Sequence, residues 1–140
     1  MKKAITAAII CFVFFGCSDN KNQEKALLDS VIKIHDKLMS SDDRLMANKM
    51  KLDTLLKTRL TGVTDTAAEK TQLMGLSIQL NNAEDAMETW MQKFDPEQKG
   101  KSHQQIMDYL YIQKAQVAAI DSQINVAIKQ SGDYLDHLKN

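Results

Sequence analysis

The chain has 140 residues, of which 44% are hydrophobic and 26% charged, which argues for one globular domain and against a disordered or collagen-like chain. Five Gly, one Pro and an aromatic share of 6% leave too few turn and ring residues for a many-stranded sandwich or barrel, and the abundance of Ala, Leu, Met, Lys and Gln points to long helices. Eighteen basic and eighteen acidic side chains cancel, so the chain has no overall positive field and no nucleic-acid partner is expected.

Lys2 and Lys3 precede an apolar run from Ala4 to Phe15, the pattern of an export signal with a basic head and a short hydrophobic region. The run falls short of the roughly 20 apolar residues that a spanning helix needs, and it ends at Gly16-Cys17 ahead of the polar segment Ser18-Asp19-Asn20-Lys21-Asn22. A small residue followed by Cys at this point resembles the lipobox of bacterial lipoproteins, although Phe14-Phe15 stands where that pattern favours Leu and a small residue. The resemblance implies acylation of Cys17, with residues 1–16 as signal peptide and residues 17–22 as the lipidated Cys and its tether. Removal of the signal takes Cys11 away and leaves one cysteine, which no intramolecular disulfide can use. It also removes Lys2 and Lys3, leaving a slightly acidic mature chain. Diacyl attachment is sufficient for stable membrane anchoring.

Residues 23–140 read as a three-helix bundle. From Gln23 to Arg59 there is neither Gly nor Pro, and Val31, Leu38, Leu45 and Leu52 recur every seven residues, a heptad seam. Leu27, Ile34 and Leu55 lie on one flank of it and Leu28 and Leu56 on the other, while Ser41, Asp42, Asn48 and Lys49 make its middle polar; polar seam residues weaken packing but fix register. A break at Thr61-Gly62-Val63-Thr64-Asp65 leads to Thr66-Ala67-Ala68-Glu69, spaced as a capping box that opens a second helix. The second seam is Leu73, Leu76, Leu80, Ala83, Met87, Trp90 and Phe94, and Asp95-Pro96 ends it because the residue before proline is driven from helical geometry. Ser102-His103-Gln104-Gln105 offers another capping box, with Asp95-Pro96-Glu97 as an alternative earlier start. The third seam is Ile106, Leu110, Gln113, Val117, Ile120, Ile124, Ala127, Ser131, Tyr134 and Leu138. Short connections make consecutive helices antiparallel, so the expected fold is all-α: an up-down-up bundle with coiled-coil-like packing.

Ile34-His35-Asp36-Lys37-Leu38-Met39 and Trp90-Met91-Gln92-Lys93-Phe94, taken with the Gly16-Cys17 junction, resemble a family of small helical lipoproteins of Bacteroidota. The resemblance implies a lipid-anchored envelope protein with coiled-coil helices. In that family Met or Gly is common soon after the His-Asp pair, where this chain has Ser40-Ser41-Asp42. Ser18-Asp19 partly resembles the acidic surface-export signal of such bacteria, and Asn20-Lys21 breaks it, so a periplasmic orientation is favoured over surface display.

Motifs for catalysis are missing: the sequence has no Gly-rich phosphate loop, nucleophile elbow, His-Glu-x-x-His or Cys-x-x-Cys-His. Asp42-Asp43 and Glu84-Asp85 are adjacent carboxylates, but helix neighbours point about 100° apart and read as solvated charges rather than an acid/base pair. None of the three histidines follows a Glu by three residues, as a di-iron bundle requires. One constellation joins His35, Met39, Met87, Met91, His103 and Met107. Folding about Val63 sets His35 opposite Met91 and Met39 opposite Met87, and a second fold about Gln98 brings His103 and Met107 to the same end. Such residues read first as core packing, since methionine is an adaptable core filler; thioether and imidazole donors at i, i+4 spacing read alternatively as a Cu(I) site. Trp90, Phe94, Tyr109 and Tyr111 either close the corner between the second and third helices or form a partner surface. Lys49, Lys51, Lys57 and Arg59 form no run and read as a solvated face.

The sequence thus reads as a non-enzymatic, lipid-anchored helical interaction or structural module. It is placed in the bacterial envelope, at the outer membrane facing the periplasm, with the membrane and an envelope protein as partners, and no cofactor or small-molecule substrate is expected. The alternative is a periplasmic soft-metal (copper) binding or sensing bundle.

Overall fold

The computed structural model describes residues 16–60 and 66–138, with side chains over 19–58 and 66–138. The expected signal peptide, apart from Gly16, lies outside the described residues, as do the Cys17 side chain and the break at Thr61–Asp65. Among the described residues all regular structure is helical: α1 Gly16–Met39, α2 Asp42–Leu60, α3 Ala67–Lys93 and α4 His103–His137. Residues 17–22, expected as a tether, are the first turns of α1.

The first helix expected from the sequence is divided in two at Ser40-Ser41. The Ser40 amide still reaches back four residues to the Asp36 carbonyl (3.1 Å), but the Ser41 amide reaches only three, to Leu38 (2.9 Å), which tightens the turn. The Ser40 hydroxyl donates to the Lys37 carbonyl, the local competition that makes serine a poor helix-interior residue. The helix restarts when the Ser41 carbonyl accepts from Arg44 and Leu45, each at 3.1 Å. The break does not change the phase of the seam. Val31, Leu38, Leu45 and Leu52 are all buried across it, with Leu27, and the flanking Leu28, Ile34, Leu55 and Leu56 are half-buried.

Both capping boxes form as the sequence predicts. The Thr66 hydroxyl accepts from the Glu69 amide (3.2 Å) while the Glu69 carboxylate accepts from the Thr66 amide (2.8 Å). Ser102 and Gln105 repeat the pattern at the start of α4. The alternative start at Asp95-Pro96-Glu97 is not used, because the Asp95 carboxylate turns the chain instead, accepting from the Glu97 amide at 3.0 Å. Gln98 sits there at φ 45°, an unfavourable value for a residue with a side chain, and its amide group donates to the Asp95 carbonyl at 2.8 Å. Gly100, at φ 76°, completes the reversal at no steric cost.

Leu73, Leu76, Leu80, Ala83, Met87 and Trp90 of α3 are buried, facing Leu110, Val117, Ile120, Ile124, Ala127 and Ser131 of α4 and the α1/α2 seam. At roughly 1.5–3 kcal/mol for each large apolar side chain removed from water, this continuous core is what holds the helices together. The α4 seam departs from expectation toward its end. Ile128 and Leu135 are buried as well, Tyr134 is half-buried and Leu138 is 40% exposed. A straight helix drifts about 20° per heptad against a seven-residue repeat, and over the 35 residues of α4 the buried stripe moves one position along the sequence.

Polar pairs between helices fix the register. From α1 and α2 to α4 they rise together along both chains: Glu24 with His103 (2.7 Å), Lys37 with Asp121 (2.9 Å), Asn48 with Ser131 (2.9 Å). Toward α3 they run in opposite order, with the His35 and Trp90 rings 5.9 Å apart, Lys49 paired with Glu84, and Ser77 donating to Asp53 at 3.2 Å.

Candidate functional site

Asn48 is one of the four polar residues, with Ser41, Asp42 and Lys49, that the sequence places in the middle of the first seam. Its amide donates to the fully buried Ser131 hydroxyl (2.9 Å) and to the Ile128 carbonyl (3.1 Å), while the Ser131 hydroxyl donates to the Ala127 carbonyl (2.6 Å). The Asn48 amide N–H groups and the Ser131 hydroxyl all find acceptors here, so their burial costs little and a slipped register would leave them unsatisfied. At the next residue, the hydrogen bond to the Glu84 carboxylate raises the Lys49 pKa above the ordinary lysine value, outweighing the opposing effect of partial burial, with Asp53 and Asp85 adding to the rise. Glu84 of the adjacent carboxylates is therefore one half of an ion pair and not a free acid.

The aromatic residues form a ladder at the far end. Trp90 stacks on Phe94 (centroids 4.7 Å apart, planes 19° apart), Phe94 lies 6.3 Å from Tyr109, and the His35 ring is tilted 31° to Trp90. The Tyr109 hydroxyl accepts from the Asp95 amide at 2.8 Å, tying α4 to the end of α3. Trp90 is 6% exposed and its indole N–H has no hydrogen-bond partner among the described residues. Tyr111 does not join the ladder's core and is 59% exposed.

The six His/Met residues do not converge on one point. His103 pairs with Glu24, which lies about three turns, or ~16 Å, N-terminal to His35 along α1. His35 is taken up by Trp90 and by a 3.2 Å contact of its Nδ1 with Asp36. Met107 is half-buried. Met39, Met87 and Met91, by contrast, line one cleft of about 230 Å³. The sequence pairing of Met39 with Met87 was thus readable from spacing, but Glu24 as the partner of His103 was not, since an isolated Glu on an exposed-looking turn carries no signal.

Along the outer side of α3 and α4 runs a groove of about 770 Å³ bordered by Asn82, Ala86, Thr89, Gln113, Gln116 and Ala119. A second hollow of about 410 Å³ shares Asn82 and Ala119 with it and continues toward Val126. Ile78, Ile112 and Val126 are 54%, 55% and 50% exposed. Ile112, Gln116, Ala119, Gln123 and Val126 repeat by three and four, as do Ile78, Asn82, Asp85 and Thr89, so each helix carries a second, mixed face in addition to its core face. That repeat is the sequence signal for the groove, masked by its amides and charges.

Comparison with known proteins yields no match: no family model, no curated protein and no solved structure is significantly similar to the chain. No helix among the described residues is long and apolar enough to cross a membrane. Among those residues no group of three or more His, Cys, Asp or Glu side chains is placed to hold a metal ion.

Proposed function

We propose that the chain is a lipid-anchored protein of the bacterial envelope, an up-down-up antiparallel bundle of three long helices that acts as a non-enzymatic interaction module. It is held by acylated Cys17 at the outer membrane, facing the periplasm, and seats a helix of an envelope partner in the α3/α4 groove. The observation that carries the reading is that open groove, in which Ala86, Thr89 and Ala119 stand beside buried Trp90 and Ile120, with Val126 left in water at its continuation and Ile78 and Ile112 exposed on the same two helices. A partner helix recognises such a surface by laying an apolar stripe against Ile78, Ile112 and Val126 while the Asn and Gln amides set its register. The basic head, short apolar run and Gly16-Cys17 junction support the anchor, as does the resemblance to helical lipoproteins of Bacteroidota. Because residues 17–22 belong to α1, an acyl chain on Cys17 would join the bundle to the bilayer without an extended linker.

A photo-crosslinking residue placed at Thr89 or Gln116 in native membranes is expected to trap one discrete envelope protein, and one placed at Lys33 on α1 is not. Ala119→Arg, which puts a long charged side chain into the lining shared by both hollows, should abolish the adduct. Adducts of equal yield from Lys33, or adducts that survive Ala119→Arg, would contradict groove-mediated binding.

A further inference from the structure

We propose that the cleft between the α1/α2 break and α3 binds a soft monovalent cation, Cu(I) or Ag(I), through the thioethers of Met39, Met87 and Met91. The site lies apart from the α3/α4 groove, so either proposal can fail without the other. Its origin is local. Ser40-Ser41 interrupts the helix directly beside the cleft, which is lined by Met39 on one side of the break and Asp42 on the other. Met87 and Met91 are one helical turn apart on α3 and both line the same opening.

Exposure separates this group from core filler. Met87 is 5% exposed and belongs to the core, but Met39 and Met91 are 40% and 42% exposed beside it. Methionine used to fill a core is buried there, whereas a deep thioether flanked by two accessible, flexible ones can close on an ion from three sides. Three neutral sulfurs match the preference of Cu(I) and Ag(I) for soft donors and discriminate against Zn(II), Mg(II) and Ca(II). Such a set carries no compensating charge of its own. The Asp42 and Glu88 carboxylates at the cleft margin supply it, Glu88 being oriented by the Gln92 amide at 3.1 Å. Glu84, also at the cleft, is already engaged by Lys49.

The test uses the full chain in detergent with Cys11→Ser and Cys17→Ser, so that no thiolate competes, and with carbon-13 in the methionine methyl groups. Silver nitrate in chloride-free buffer, and separately Cu(I) under reducing conditions, should at one equivalent shift the Met39, Met87 and Met91 methyl signals and leave Met46 and Met74 in place. Met46 and Met74 are 37% and 47% exposed and lie outside the cleft, so they report non-specific thioether binding. Met39→Leu with Met91→Leu changes two exposed side chains at nearly constant volume and should leave the melting curve intact. The loss of two ligands is expected to weaken binding at least as much as loss of an outer-sphere partner, about 10–100-fold. Zn(II) should cause no shift. The proposal is overturned by unchanged methyl signals at one equivalent, by equal shifts at Met46 and Met74, or by undiminished binding in the double variant.

Discussion

Leu80→Asp is expected to abolish the folded state. Leu80 is fully buried at the middle of α3, among the largest side chains of a core shared by all the helices. Truncating a buried leucine costs about 2–5 kcal/mol by itself. The new carboxylate has no cation within the core, so it must either stay charged and unpaired or take up a proton, and either adds several kcal/mol. The sum is comparable to the whole stability of a small domain, about 5–15 kcal/mol. Far-UV circular dichroism should show wild-type helix melting cooperatively and the variant largely unfolded. Ile78→Asp, two residues away and 54% exposed, should change stability by about 0.5 kcal/mol or less. A Leu80→Asp protein that melts like wild type would refute the packing of α3 described above.

Trp90 should give the second largest loss, with an informative asymmetry. Trp90→Ala removes the centre of the ladder between His35 and Phe94 and opens a cavity, at about 3–5 kcal/mol. Trp90→Phe keeps a ring in the stack and deletes an indole N–H that bonds to nothing among the described residues, so its cost is only that of reduced volume, about 1.5 kcal/mol. Urea denaturation of the two variants measures the difference directly. Equal losses would mean that the N–H, not the ring stack, is what the protein needs from Trp90.

Much of the fold was legible because the signals are local and repeated. The seams of all helices rest on apolar side chains at three- and four-residue spacing, and the two capping boxes need only their own four residues, so neither depends on distant packing. Ser40-Ser41 is not marked by proline or glycine; the break is made by the Ser40 hydroxyl and the tightened Ser41 turn, hydrogen bonds that spacing alone does not reveal. Ile128 and Leu135 escaped for a geometric reason, the drift of a long helix against its heptads. The pairing of Met39 with Met87 followed from folding the chain about its loop, which brings antiparallel neighbours together. The same operation about Gln98 did not place His103, because α4 packs against α1 as well as α3 and His103 turns to Glu24 there. Asn48 was visible as a polar residue in a seam, while its partner Ser131 is chosen by the register of α4.

Acylation at Cys17 is the claim on which the location and the interaction reading both depend, and the mass of the mature N-terminus tests it most directly. Protein purified from native membranes should yield an N-terminal peptide that begins at Cys17 and carries a diacylglyceryl group on the sulfur. Cys17→Ser should accumulate as unprocessed precursor or appear in the soluble fraction. A mature chain that begins elsewhere, an unmodified Cys17, or a Cys17→Ser protein processed and retained in the membrane like wild type would contradict the account.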